Sequence, residues 1–196
     1  MSRIVAIYAS PRRRGNTATL LKEAVRGATE AGVPVDEIVL RDQKISPCLE
    51  IYGCREAGRC RIQDDFQTVM AAIDGADALM FASPIFFYTV SAHAKILMDR
   101  CQSRWVKKYW IDPPEGRLNA RRRNGLFIAA GATRGRRLFD GTLLTVRYFF
   151  DVLDVDLWRA LCYRQLDHEG DVLAHPDYLS EARAGGRALA ASLAPQ

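Results

Sequence analysis

The stretch IVAIYASPRRRGNT, residues 4–17, decides the fold of this chain. Its first six residues are apolar and predict a buried strand, whereas the residues after Thr17 have the spacing of an amphipathic helix. A helix that begins directly after a strand presents backbone N–H groups without intrahelical acceptors, together with the positive end of the helix dipole. We therefore predict that the turn at residues 10–17 binds an anion.

The residue types in this turn restrict the anion that it can hold. A Walker-type cradle needs Gly-x-x-x-x-Gly-Lys-Ser/Thr, and this turn contains no lysine. The dinucleotide pattern Gly-x-Gly-x-x-Gly is also missing. Ser10, Asn16 and Thr17 add short polar side chains, and Arg12 adds positive charge. The turn favours one phosphate monoester, and the alternative is an ordinary strand-to-helix connection with exposed arginines.

The length and composition predict one domain over residues 1–196. A chain of 196 residues with 48% hydrophobic content can fill one core but is short for two sizeable domains. No apolar run reaches the length of a membrane span, and the first residues lack the pattern of a signal peptide. The five cysteines are odd in number. We therefore expect a cytoplasmic protein with free thiols and no membrane partner.

The net charge of +5 permits nucleic-acid binding without requiring it. A nucleic-acid reader usually carries a recognition helix or an aromatic stacking platform, and the sequence shows neither. We expect no nucleic-acid partner. The clustered arginines are either solvated surface or attract a phosphorylated cofactor.

Apolar runs and helical patterns alternate along the chain. The strand-like runs lie at residues 4–9, 35–40, 76–82, 125–130 and 155–161. The first helical pattern has its apolar face at residues 20–28 and stops near Gly32, and the second follows a cap at Asp64 or Asp65 and is closed by Gly75. The others lie at about residues 91–104, 142–153 and 176–193. This alternation predicts an α/β fold: a doubly wound, five-stranded parallel sheet of order 2-1-3-4-5 with helices on both faces.

In such a sheet, the loops after strands 1 and 3 meet at the carboxyl edge, where the winding reverses. The loop after strand 3 is SPIFFY, residues 83–88, which carries three aromatic side chains. With the anion-binding turn at residues 10–17 facing it, this loop suits a flat aromatic ligand that carries one phosphate, and FMN is such a ligand. The alternative is that the aromatic residues pack under a helix or at a dimer contact.

Together these motifs resemble the flavodoxin-fold family of NAD(P)H-dependent FMN reductases, including its branch of iron-sulfur flavoproteins. The resemblance covers nearly the whole chain and rests on residues 10–17, 83–87, 91–95, 99–100, 131–133, 166–171 and 175–176. It implies an FMN cofactor, NAD(P)H as the electron donor and no catalytic side chain. The implied FMN-binding residues are Ser10, Arg12, Gly15, Asn16 and Thr17 at the phosphate, and Pro84, Ile85, Phe86, Phe87 and Gly131 at the ring.

The iron-sulfur branch carries a Cys-x2-Cys-x2-Cys-x5-Cys motif after strand 2, and residues 45–65 align with it. Cys48, Cys54 and Cys60 occupy the first, third and fourth places, but Ile51 occupies the second. A four-iron cluster needs four thiolates, so we do not expect an intact cluster. A zinc site that adds His93 is expected even less. We predict a structured loop with three thiols that borders the flavin or a subunit interface.

The function implied by the resemblance is an FMN-dependent oxidoreductase that passes electrons from NAD(P)H to a small acceptor such as a quinone or flavin. It also implies a homodimer or homotetramer. A non-enzymatic electron carrier like flavodoxin is the first alternative, although such carriers are usually acidic. A redox sensor that uses the three thiols is the second. The long stretch at residues 107–123 is a lid, a subunit contact or an exposed loop.

Overall fold

The computed structural model describes residues 2–115 and 122–194, and the described strands form one parallel sheet. The sheet has five strands in the order β2-β1-β3-β4-β5, which confirms the predicted doubly wound fold. The strands are β1 (Ile4–Tyr8), β2 (Val35–Val39), β3 (Ala78–Pro84), β4 (Arg123–Gly131) and β5 (Val155–Arg164). The two strands after which the ligand loops were expected, β1 and β3, are neighbours and pair from Ile4 with Ala78 to Tyr8 with Ala82.

Helices cover both faces of the sheet. They are α1 (Asn16–Glu30), α2 (Cys54–Ala57), α3 (Phe66–Asp74), α4 (Ala92–Arg100), α5 (Gln102–Val106), α6 (Asp140–Asp151) and α7 (Pro176–Ala191). Alternate residues of β1 point to opposite cores, since Ile4 and Ala6 pack with α1 and α7 while Val5 and Ile7 pack with α3, α4 and α6. This two-sided burial explains why the strands read as continuous apolar runs.

The helix expected over residues 91–104 is interrupted, so that part of the prediction is wrong. The backbone N–H of Cys101 donates to the carbonyl groups of both Leu97 and Met98, which tightens the last turn and ends α4. A new helix begins at Gln102, and residues Lys107–Ile111 continue it as a π-helical turn. Of the stretch at 107–123, residues 116–121 lie outside the described residues.

Two glycines let α1 and α7 cross in direct backbone contact. A Cβ added at Gly27 would lie 2.0 Å from the carbonyl oxygen of Arg183, and one at Gly186 would lie 1.8 Å from that of Ala24. This contact fixes α1, whose N-terminus opens onto the carboxyl edge of the sheet. Over residues 2–115 and 122–194, none of the helices combines the length and apolar character needed to cross a membrane.

Candidate functional site

A cleft lies at the carboxyl edge of the sheet, between the loops that follow β1, β3 and β4. From the sequence we expected ten residues to bind FMN, and nine of them line this cleft. They are Ser10, Arg12, Gly15, Asn16, Thr17, Pro84, Ile85, Phe86 and Gly131. The cleft has a volume of about 100 Å³ and is open on one side.

The N-terminus of α1 brings unused hydrogen-bond donors to this cleft. Gly15 precedes the helix in an extended conformation and offers no side-chain cap. Within the described residues, no acceptor meets the backbone N–H groups of Asn16, Thr17 and Ala18. Asn16 and Thr17 line the cleft, so their N–H groups are available to a ligand there. Unpaired donors at the start of a helix favour an anion.

The turn before α1 leaves little room for a side chain at Gly15. An added Cβ would lie 3.0 Å from the Ser10 hydroxyl oxygen and 3.1 Å from the Arg12 Cβ. Ser10 is itself engaged, because its Oγ accepts a hydrogen bond of 3.1 Å from the backbone N–H of Arg12. Ser10 and Gly15 therefore shape the turn.

The three consecutive arginines of the turn have different surroundings. Arg12 lines the cleft, and its guanidinium donates to the carbonyl oxygen of Asp167 at 2.9 Å. Arg13 faces away and forms an ion pair of 2.7 Å with Asp42. Arg14 is exposed and does not line the cleft. Only Arg12 is therefore placed to meet a ligand in the cleft.

Both polar ends of the Asn16 side chain bind the segment at residues 167–172. Its Nδ2 donates to the carbonyl oxygen of His168 at 2.9 Å, and its Oδ1 accepts from the backbone N–H of Val172 at 3.2 Å. The Asn16 side chain thereby holds this segment beside the cleft, and its backbone N–H and second Nδ2 hydrogen remain for a ligand. The sequence named Asn16 but gave no signal for this partner.

The segment bound by Asn16 is held by Asp171. The Asp171 carboxylate accepts hydrogen bonds from the backbone N–H groups of His168 at 2.7 Å and Asp167 at 2.8 Å. These two bonds lower the pKa of the Asp171 carboxyl below its usual range. The segment is thereby shaped so that the Asp167 and His168 carbonyl groups face Arg12 and Asn16.

The aromatic loop after β3 forms a tight two-residue turn. The backbone groups of Phe86 and Thr89 exchange hydrogen bonds of 2.9 and 3.0 Å. The residues between them, Phe87 and Tyr88, have φ angles of +47° and +60°, a conformation that is costly for bulky side chains. Phe86 lines the cleft, but Phe87 projects from the tip of the turn with its side chain fully exposed. Phe87 is thus the one nominated residue that the structure does not bring into the cleft.

Two buried serines connect this loop to β1. The Ser91 hydroxyl donates to the carbonyl oxygen of Ala9 at 2.5 Å, and the Ser91 N–H donates to the Ser83 hydroxyl oxygen at 2.9 Å. Ser91 Oγ also accepts from the Ala94 N–H and so caps α4. Sequence reasoning missed both serines as positioning residues, although Ser91 before an apolar helix is a cap signal.

The third loop enters the cleft at Gly131. Its carbonyl oxygen accepts from the Leu166 N–H at 3.2 Å. A Cβ at this position would lie 2.8 Å from the Leu138 side chain and 3.4 Å from Ile85. Glycine therefore allows the end of β4 to approach the loop that follows β3.

The three thiols of the cysteine segment lie in a different cavity. Cys48, Cys54 and Cys60 line a space of about 410 Å³ whose apolar wall includes Tyr52 and Trp110. This cavity shares no lining residue with the cleft. Among the described residues, no group of three or more His, Cys, Asp or Glu side chains has the arrangement of a metal site. The residues present therefore do not fit a four-iron cluster.

One buried arginine holds the cysteine segment together. The Arg100 side chain has no exposed surface and forms an ion pair of 2.7 Å with Asp64. Its remaining donors reach the Cys60 thiol at 3.2 Å and the carbonyl groups of Ser46 at 2.9 Å and Ile62 at 3.0 Å. Burial opposes ionisation of Asp64, but hydrogen bonds from Arg100 and from backbone N–H groups outweigh it and lower the pKa of that carboxyl.

Comparison with known proteins identifies relatives across most of the chain. Residues 2–155 match the profile of the family described as NADPH-dependent FMN reductase. An iron-sulfur flavoprotein of Methanocaldococcus jannaschii is 33% identical over 132 residues, which cover 67% of this chain and 63% of that protein. An iron-sulfur flavoprotein of Archaeoglobus fulgidus is 32% identical over 154 residues, which cover 78% of this chain and 74% of that protein. The match thus spans less than two thirds of the first relative's length.

Solved structures resemble this fold at low sequence identity. An NAD(P)H:quinone oxidoreductase from Methanothermobacter marburgensis superposes with a TM-score of 0.70 at 18% identity and covers 96% of both chains. RosB, solved with a bound riboflavin-phosphate intermediate, superposes with a TM-score of 0.72 at 17% identity and covers 98% of this chain and 80% of that chain. At these identities the likeness establishes the fold.

Proposed function

Because its residues 2–155 match the family profile, the chain belongs to the NADPH-dependent FMN reductase family, and we propose that it is an FMN-dependent oxidoreductase. It takes electrons from NAD(P)H and passes them to a small acceptor such as a quinone or a free flavin. FMN supplies the hydride and electron chemistry when bound, and the protein binds and orients it. The observation that carries the proposal is the set of N–H donors at the start of α1 that have no acceptor in the described part of the chain, on residues that line the cleft.

The cleft residues divide into two groups. The backbone N–H groups of Asn16 and Thr17 and the guanidinium of Arg12 hold the phosphate, while Ser10 and Gly15 shape the turn around it. Pro84, Ile85 and Phe86 with Gly131 line the part of the rim that receives the ring. Phe87, exposed at the tip of its turn, contacts the ring only if its side chain rotates inward or if it meets the site of a second copy.

The net charge of the chain favours an enzyme over a non-enzymatic electron carrier. The chain has a formal net charge of +5, whereas flavodoxin-like carriers are usually acidic. A positive surface attracts the phosphates of NAD(P)H. Steady oxidation of NAD(P)H with a quinone and no added reductase supports the enzyme, whereas a requirement for a separate reductase supports the carrier.

We further propose that the chain is one FMN-binding domain that assembles as a homodimer or homotetramer. Exposed apolar side chains support the assembly: Phe87, Tyr88, Leu144 and Tyr148 are each more than half exposed. We place the protein in the cytoplasm, which agrees with its five cysteines being free thiols. Light scattering on the purified protein measures the assembly, and a monomer at micromolar concentration contradicts it.

The first experiment is the visible spectrum of the purified protein, with the flavin released and identified by mass. We expect FMN, and a colourless protein that takes up no added FMN contradicts the proposal. A matched pair of variants then tests the phosphate seat. We expect Arg12→Ala to weaken FMN binding about tenfold to a hundredfold, the cost of losing a charge-assisted hydrogen bond. Arg14→Ala, which removes an arginine outside the cleft, should leave FMN affinity unchanged.

Riboflavin distinguishes two roles of Arg12. Riboflavin has no phosphate, so Arg12→Ala should leave its affinity unchanged if Arg12 binds the phosphate. An equal loss for FMN and riboflavin shows instead that Arg12 acts only by holding the Asp167 carbonyl group.

A further inference from the structure

The cysteine segment lacks the fourth cysteine of a cluster site but contains three thiols around one cavity. Ile51 occupies the second cysteine position of the motif and is 59% exposed. The remaining thiols, Cys48, Cys54 and Cys60, line one cavity of about 410 Å³. Glu50 and Tyr52, which flank Ile51, have φ angles of +49° and +54°. Such strain persists only where the surroundings impose it, so this loop has a fixed shape.

We propose that Cys60 is a peroxide-reactive thiol that forms a reversible disulfide with Cys54. The Cys60 Sγ accepts a hydrogen bond of 3.2 Å from Nε of Arg100. Arg100 is fully buried and is fixed by Asp64 and two backbone carbonyl groups, so its Nε remains directed at the sulfur. A hydrogen bond from a cationic donor is strong when its acceptor carries negative charge, so Arg100 is placed to stabilise the charge on the sulfur as it attacks a peroxide.

The local backbone favours Cys54 as the second thiol. Cys54 begins α2, and the backbone N–H of Gly58 donates to its carbonyl oxygen at 2.8 Å. Gly58 has a φ angle of +64°, which ends the helical turn and reverses the chain. Cys60 lies two residues after Gly58 and lines the same cavity as Cys54. Cys48 lies twice as far from Cys60 along the chain, beyond the strained Glu50 and Tyr52.

The chemistry balances with hydrogen peroxide as the oxidant. The Cys60 thiolate attacks one peroxide oxygen, so that an S–O bond forms, the O–O bond breaks and the departing hydroxide is protonated to water. The Cys54 sulfur then attacks the sulfenic sulfur of Cys60; an S–S bond forms, the S–O bond breaks and a second water leaves. Two thiols lose two electrons and peroxide gains them. A dithiol reductant reverses the reaction.

The other two cysteines are internal controls. Burial raises the pKa of the Cys101 thiol to about 12, and Cys101 contacts the Met70 sulfur at 3.7 Å. Burial also raises the pKa of the Cys162 thiol to about 11. Neither residue lines the cavity of the three thiols. Both should stay reduced under conditions that oxidise Cys60.

The test treats the reduced full-length protein with hydrogen peroxide and measures its intact mass. We expect the loss of two hydrogen atoms, reversed by dithiothreitol. Trypsin cuts after Lys44, Arg55, Arg59 and Arg61, so the disulfide joins peptide 45–55 to the dipeptide 60–61. Cys48→Ser should keep this cross-link and Cys60→Ser should abolish it. In Cys54→Ser, dimedone should label Cys60, and Cys162→Ser should behave like the unaltered chain.

Three results overturn the proposal. These are no mass change and no dimedone label at Cys60, loss of the cross-link in Cys48→Ser, or an iron-sulfur spectrum with iron bound in protein purified without oxygen. Because the cavity and the cleft share no residue, these results are independent of FMN. A flavin-free protein that forms the disulfide contradicts the proposed function alone.

Discussion

Ser91 and Ala9 lie 82 positions apart in the chain, yet the Ser91 hydroxyl donates a hydrogen bond of 2.5 Å to the Ala9 carbonyl oxygen. Ala9 ends the run that leads into the turn at residues 10–17, and Ser91 follows the aromatic loop and caps α4. This bond therefore sets the spacing between the two loops that form the cleft. Both residues are buried, so water does not compete for the bond.

Replacing Ser91 with alanine should lower both stability and FMN affinity. The change removes the cap of α4 and leaves the Ala9 carbonyl group without its buried donor. We expect a loss of about 1–3 kcal/mol in the free energy of unfolding, measured by urea titration. Thr145→Ala, which removes an exposed helical hydroxyl, is the control. Equal effects of the two changes contradict the assigned role of Ser91.

Asn16→Asp tests whether the Asn16 side chain acts by positioning the segment at 167–172. The aspartate keeps the acceptor for the Val172 N–H but loses the donor to the His168 carbonyl oxygen. It also brings a negative charge to the proposed phosphate site. We expect at least a tenfold loss of FMN affinity by fluorescence titration, at a cost of about 1.4 kcal/mol or more.

The control for Asn16 is Asn124→Asp, because the Asn124 amide donates to the exposed Ser192 hydroxyl. Limited proteolysis should cut the segment at residues 167–172 faster in Asn16→Asp than in the unaltered chain, together with the loss of FMN affinity. A variant with weak FMN binding and unchanged proteolysis shows a purely electrostatic effect and contradicts the positioning role.

Phe87→Gly should make the protein more stable. Phe87 has a φ angle of +47° and a fully exposed side chain, so the change relieves backbone strain and removes little packing. We expect a gain of roughly 1 kcal/mol, observed as a higher Tm. Tyr148→Gly, at an exposed aromatic residue inside α6, should lose about 1 kcal/mol. A lower Tm in both variants indicates that Phe87 packs against something, such as a second copy.

The ion pair between Asp64 and Arg100 should make the free energy of unfolding depend on pH at low pH. The pKa of Asp64 is lowered in the folded chain, so its contribution is present above the usual aspartate pKa of about 3.9 and disappears as pH falls through the lower folded value. Asp64→Asn leaves Arg100 buried without its counterion, and we expect a loss of about 3–5 kcal/mol at pH 7.

Urea unfolding at a series of pH values measures this difference. The gap between the unaltered chain and Asp64→Asn should stay constant from pH 7 to about pH 5 and narrow below pH 4. Asp36→Asn, at an exposed ion pair with Arg3, should change stability by less than about 0.5 kcal/mol at every pH. A gap between the unaltered chain and Asp64→Asn that does not change with pH contradicts the assignment.

The sequence alone determined the fold and the location of the cleft. Apolar runs such as residues 4–9 identified the strands, since a parallel sheet covered on both faces needs continuous apolar strands. The order of the strands then placed the loops after β1 and β3 together, because parallel strands end at one edge. Nine of the ten residues that we expected from the sequence to bind FMN therefore line the cleft.

The tertiary structure decided what each side chain does. Asn16 and Ser91 bind partners more than 80 positions away, and no local pattern specifies such a pair. Phe86 and Phe87 are adjacent in the sequence, yet Phe86 lines the cleft while Phe87, with a positive φ, has an exposed side chain. The sequence likewise showed three of the four cysteines of the cluster motif, but only the packing of the fold places the buried Arg100 against Cys60. Long-range hydrogen bonds and backbone torsions, which depend on the whole fold, are the physical reason for this division.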